Sequence, residues 1–84
     1  MNTNNPSNTG KKWKKNEENQ LLDELTNNIP ISEIAMLHNR TSGGIISRIR
    51  LIAYNMHIKN IPIEEIIKKT KLNESEINNE IQKR

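Results

Sequence analysis

Cysteine is absent from this 84-residue chain, which excludes disulfides and thiolate metal sites and fits an intracellular protein. Phenylalanine is absent as well, and one Trp and one Tyr are the only aromatic residues. The core must therefore be built mostly from Ile and Leu. No run approaches the roughly 18 continuous apolar residues of a membrane helix, and the polar N-terminus lacks a signal-peptide core. A soluble protein without a membrane partner is expected. Histidine occurs only as His38 and His57, with no carboxylate or cysteine at ligand spacing, so no metal is expected. Ser42, Ser47 and Ser75 lack histidine and acid partners in any catalytic arrangement, and no glycine-rich strand-to-helix turn marks a nucleotide site. These gaps point to a non-enzyme with no cofactor and no small-molecule substrate.

What remains is a small, mildly basic chain with a formal net charge of +3. Residues 1–10 carry almost nothing apolar and read as a disordered tail. About seventy residues must then form one domain, a size that is marginal without a partner, so a homodimer is expected. Asn, Ile and Lys dominate the composition, as coding DNA rich in A and T produces.

The charge is unevenly placed. Lys11, Lys12, Lys14 and Lys15 form one basic cluster, and Arg40, Arg48, Arg50 and Lys59 form a second with only Glu33 nearby. Residues 61–84 are balanced, with five acids and five bases.

A repeat organises the chain. Asn28-Ile29-Pro30-Ile31, followed by Glu33 and Ile34, returns 32 residues later as Asn60-Ile61-Pro62-Ile63, followed by Glu65 and Ile66. At the same offset Thr41 aligns with Asn73, Ile45 with Ile77 and Ile49 with Ile81, while arginine gives way to glutamate. Apolar positions and caps persist, but the exposed chemistry changes.

Helical periodicity predicts an all-α fold of about five short helices. Asn16 is a cap candidate for helix one at 17–27, with Glu17 and Glu18 in its first turn. Pro30 opens helix two at 31–38, His38-Asn39-Arg40 is a tight turn, and Thr41 caps a helix three that extends to His57. Ile45, Ile49, Ile52, Ala53 and Met56 share the core face of that helix. A second stripe, with Leu51, Tyr54 and Ile58, would receive helices four (63–69) and five (74–82). This gives two helix-turn-helix, three-helix units that share a long third helix, with residues 11–58 as the first unit and its basic arm and residues 59–84 as a second helical hairpin.

Two helices joined by a short turn, the second opening with small polar residues and bearing arginines, suit the DNA major groove. Gly43 and Gly44 cost the helix roughly 1 kcal/mol apiece relative to Ala, so their presence asks for close approach of something to the backbone. Arg50 is the leading base-reading candidate and Ser47 a second contact to bases, with Thr41 and Ser42 suited to phosphate and Arg40 and Arg48 on or beside the same polar face. Lys11, Lys12, Lys14 and Lys15 form an arm for the phosphate backbone or minor groove. Trp13, ahead of Leu21, reads as a core lid.

The stretch from Trp13 to Ile52 resembles the Myb/SANT-like helix-turn-helix domains, in particular the small versions of bacteria and large DNA viruses. The resemblance rests on Trp13, Glu17, Glu18, Leu21, Ile34-Ala35, His38-Asn39-Arg40-Thr41, Gly43-Gly44-Ile45 and Ser47-Arg48-Ile49, about half the chain. It implies a core role for Trp13 and DNA contact by Arg40, Thr41, Ser47 and Arg48. A viral origin is consistent with the A/T-biased composition, and it would place the protein in a viral factory or virion; otherwise nucleoid or nucleus is expected.

The expected function is non-enzymatic binding of double-stranded DNA, transcriptional or genome-associated, by the N-terminal half of helix three. Leu51, Tyr54, Ile58, Ile66, Ile77 and Ile81 would hold a partner, most simply a second copy, and the repeat permits a domain-swapped homodimer. The alternative is a protein interaction or scaffold module with no nucleic-acid role.

Overall fold

Five helices, α1 (Lys15–Thr26), α2 (Ile31–His38), α3 (Ser42–Ile58), α4 (Ile63–Thr70) and α5 (Glu74–Lys83), make up the computed structural model, which describes residues 7–84. The fold is all-α, and no strand occurs among the described residues. None of the helices is long and apolar enough to cross a membrane.

The repeat in sequence is also a repeat in backbone. Asn28 and Asn60 adopt left-handed φ values of 60° and 64°, and Asn39 and Lys71, also 32 residues apart, have 54° and 63°. Asparagine tolerates this region better than most residues with a Cβ. After α1 and α3 the same closure follows: the Ile29 amide donates to the Glu24 carbonyl and the Ile61 amide to the Met56 carbonyl, each at 3.0 Å. This is the six-residue return of a helix end closed by a left-handed residue. Pro30 and Pro62 then stand at the N-caps of α2 and α4 with nearly equal dihedrals. Proline fits there because a helix start has no intrahelical use for its missing N–H.

Both copies cap their second helix with a side chain. Thr41 Oγ1 accepts the Gly44 amide at 2.9 Å. Asn73 accepts the Glu76 amide at 2.8 Å while the Glu76 carboxylate accepts the Asn73 amide at 3.0 Å, a complete capping box. Asn73→Ala removes the side-chain acceptor of the Glu76 amide and so half of the capping box, and it is expected to lower stability by about 1 kcal/mol. Urea denaturation measures that loss, and an unchanged midpoint would mean that α5 does not depend on its cap.

The copies do not fold as separate units. Leu21, Leu25, Ile34, Ala35, Ile45, Ile49, Ile52, Ala53, Ile66, Leu72 and Ile77 form one buried cluster drawn from both. Helix α4 packs against α1 as well as α3, and α5 lies along α3. Helix α3 thus supports both helix-turn-helix elements around a common core.

Four expectations change. The N-cap of α1 is Lys14, whose side chain accepts no hydrogen bond, so Asn16 lies inside the helix instead of capping it. Of the expected tail, residues 7–10 form a turn held to the α2–α3 junction, where the Asn8 amide donates to the Asn39 carbonyl at 2.9 Å; residues 1–6 lie outside the described residues. Ile66 and Ile77, expected to meet a partner, are core residues with essentially no exposure, and Ile81 packs partly against the same core. The second stripe of α3 is used only in part: Leu51 and Tyr54 are half-buried, whereas Ile58 remains exposed.

Candidate nucleic-acid interface

The turn between α2 and α3 is anchored by a buried cluster of charge. His38, on the last turn of α2, is buried and places Nδ1 3.0 Å from Glu17 Oε2 and Nε2 2.7 Å from Glu24 Oε1. Both carboxylates come from the buried side of α1, seven residues and so two turns apart. Each ring nitrogen of His38 thus has a carboxylate oxygen within hydrogen-bonding distance.

Arg40 completes the cluster. Its Nε and Nη2 donate to the two oxygens of Glu17 at 2.8 and 2.9 Å, a bidentate pair. Its Nη1 donates to the carbonyls of Asn8 at 2.8 Å and Lys11 at 2.9 Å. Trp13 is packed against the core and stacks on the His38 ring with centroids 5.6 Å apart, while the Arg40 guanidinium lies 4.3 Å from the Trp13 ring centre. The Arg40 hydrogen bonds, and secondarily those of His38, hold the Glu17 carboxyl below its ordinary value against the opposing effect of burial. No buried side-chain nitrogen or oxygen among the described residues lacks a partner.

Arg40 is therefore not available to DNA, contrary to the expectation for it. Its guanidinium is spent on Glu17 and on the backbone of the arm, where it fixes the chain carrying the lysines. The repeat held the signal for this. Arg40 aligns with Leu72 and His38 with Thr70, and all four are buried. A basic residue at a position that is apolar in the other copy points inward.

Around this anchor the remaining expected contacts are distributed over an exposed surface. Lys11, Lys12, Lys14 and Lys15 are exposed, as are Thr41, Ser42 and Ser47. Arg48 is half-buried, donates to Glu18 at 2.9 Å and approaches the Trp13 ring to 5.2 Å. Trp13 thereby brings the lysine arm alongside α3. Arg50 stands apart from the other contacts, with its Nε 3.9 Å from the buried Glu80 carboxylate of α5, so the leading base-reading candidate is partly neutralised.

The two glycines of α3 differ. A Cβ on Gly44 would lie 3.2 Å from Thr41 Oγ1, so the cap itself explains that glycine. A Cβ on Gly43 would meet nothing within 4 Å. Gly43 is exposed in the first turn of a helix that it weakens, and no internal contact requires it.

Compared with known proteins, the chain matches no protein-family model, no curated protein and no solved structure.

Proposed function

We propose that the protein binds double-stranded DNA without catalysis, with the start of α3 against the duplex and the lysine arm on adjacent phosphates. Gly43 carries the reading: a helix-weakening residue that internal packing does not need fits a surface approached closely from outside. Two neighbouring features support it. Lys14 and Lys15 occupy the N-cap and first position of α1, the end of a helix where cations are unfavourable, and residues 34–63 contain no acid. Local preference is set aside at both places, as at sites kept for a partner. The revised contact set is Lys11, Lys12, Lys14, Lys15, Thr41, Ser42, Gly43 and Ser47, with Arg48 and Arg50 as ion-paired residues at its border.

Anisotropy of a fluorescent random-sequence duplex at about 50 and 200 mM salt tests this. Four to six phosphate contacts predict a fall in affinity of about two to three decades over that range. Gly43→Ala separates function from fold, because it should stabilise the helix by about 0.5–1 kcal/mol yet weaken DNA binding about tenfold through the added methyl. An Ala variant that binds as well as the parent would remove the observation on which the proposal rests.

A second reading, a protein interaction module, is favoured by Met36 and Leu37 on α2, which are 77% and 53% exposed. A homodimer through this face is compatible with DNA binding. Absence of DNA binding even at low salt, together with a dimer in light scattering, would favour the module alone.

A further inference from the structure

An apolar opening lies away from the lysine arm. A cleft of about 460 Å³ separates the α1–α2 turn, the first half of α3 and the α4–α5 turn. Leu25, Ile49 and Leu72, at the edge of the core, face it together with Ile29, Ile31 and Ile46. That volume is in the range of sites for small organic ligands, roughly 300–1,000 Å³.

The internal repeat serves as a control for what belongs to the fold and what does not. Ile46 is 36% exposed, and its counterpart 32 residues later is the polar Asn78. Lys71 holds a left-handed backbone at φ 63°, where its counterpart is Asn39, a residue better suited to that conformation. Both departures from the repeat line the same cleft. One adds apolar surface and the other adds a cation at a local conformational cost.

Polar groups at the cleft narrow the ligand class. Glu76 is committed to the α5 capping box, and the Thr70 hydroxyl donates to the Ile66 carbonyl at 2.7 Å while lying 3.3 Å from the Leu72 amide that it accepts. Lys71 has no ion-pair partner among the described residues. Arg50, the other cation lining the cleft, has a side chain 42% exposed and shares Glu80 with Lys83 and Arg84.

We infer that the cleft binds a small aliphatic carboxylate, its chain on Ile29, Ile31 and Ile46 and its head group toward Lys71 and Arg50. Two cations, Lys71 and Arg50, against the single carboxylate of Glu76 in the lining select an acid over a neutral chain, and the guanidinium fork of Arg50 matches a carboxylate. The inference stands whether or not α3 binds DNA.

Titration of the ¹⁵N-labelled full chain with octanoate tests it, with 1-octanol as the uncharged comparison. Saturable shifts confined to residues 28–31, 46–50 and 70–72 are expected, with octanol bound several-fold more weakly. Lys71→Asn and Ile46→Asn each copy the residue of the other repeat. The first should weaken octanoate about three- to fivefold and leave octanol unchanged, and the second should weaken both about tenfold. Lys71→Asn relieves backbone strain and Ile46 is on the surface, so both variants should fold, which circular dichroism checks. Absence of saturable shifts, shifts elsewhere, or equal binding of octanol with no effect of Lys71→Asn would each overturn the assignment.

Discussion

Arg40→Ala is expected to lower the unfolding free energy by about 3–5 kcal/mol, the usual range when one partner of a buried ion pair is removed. The reason lies in what is left behind. Glu17 would lose both donors of its bidentate pair, the Lys11 carbonyl would lose the Arg40 donor, and the Asn8 carbonyl would keep only the Lys11 amide. The Trp13 ring would lose the guanidinium 4.3 Å away. A small domain has only about 0.05–0.15 kcal/mol of stability per residue, so the variant should be largely unfolded at modest urea concentration. The double variant Arg40→Leu with Glu17→Leu should lose less than Arg40→Ala alone, because no unpaired charge remains. Urea midpoints of the two variants decide the matter; equal losses would mean that the ion pair contributes only packing volume.

The same cluster sets the acid limb of stability. Glu17 has a carboxyl pKa depressed in the folded state below the ordinary 4.5, first by its hydrogen bonds from Arg40 and then by that from His38. A depressed carboxylate contributes stability that is fully present above the unfolded value and is lost as pH falls through the folded value. Stability should therefore decline as pH falls below about 5, and the decline should be shallower in Arg40→Ala, where the largest cause of the depression is gone. A parallel acid limb in the variant would assign the dependence to other carboxylates.

The helices and the caps at Thr41 and Asn73 were legible because each is written in a few consecutive residues, and the repeat writes them twice. The anchor was not. It joins residues 8–13, two positions on α1 and the α2–α3 turn, and nothing local in Arg40 distinguishes a buried guanidinium from an exposed one. A stretch free of acids suggested that Arg40, Arg48 and Arg50 faced outward, yet each meets a glutamate from another helix: Glu17, Glu18 and Glu80. Ile66 and Ile77 misled for the related reason that an amphipathic helix shows which face is buried without showing against what. Here the α4–α5 pair is covered by α1 and α3 of the same chain.

Replacing the arm's cations, as Lys11→Gln, Lys12→Gln, Lys14→Ser and Lys15→Gln together, should separate binding from stability most widely. Each phosphate contact makes affinity fall about 3.5-fold when salt rises fourfold, so four contacts account for about 150-fold. The combined variant should bind duplex DNA more weakly at low salt and lose about four from the slope of log affinity against log salt, so that its affinity falls about 150-fold less than the parent's over a fourfold rise in salt. The fold should not suffer. Ser at position 14 supplies the side-chain cap that Lys14 does not, worth about 1 kcal/mol, and loss of two cations relieves their opposition to the α1 dipole. Arg40 holds the backbone at Asn8 and Lys11 through carbonyls, which these substitutions leave in place. The lysines are thus presented on a fixed segment, and a fixed segment has less freedom to lose on binding. A more stable variant with unchanged DNA affinity would show that the exposed lysines do not contact phosphate, and the interaction module would then be the better account of this surface.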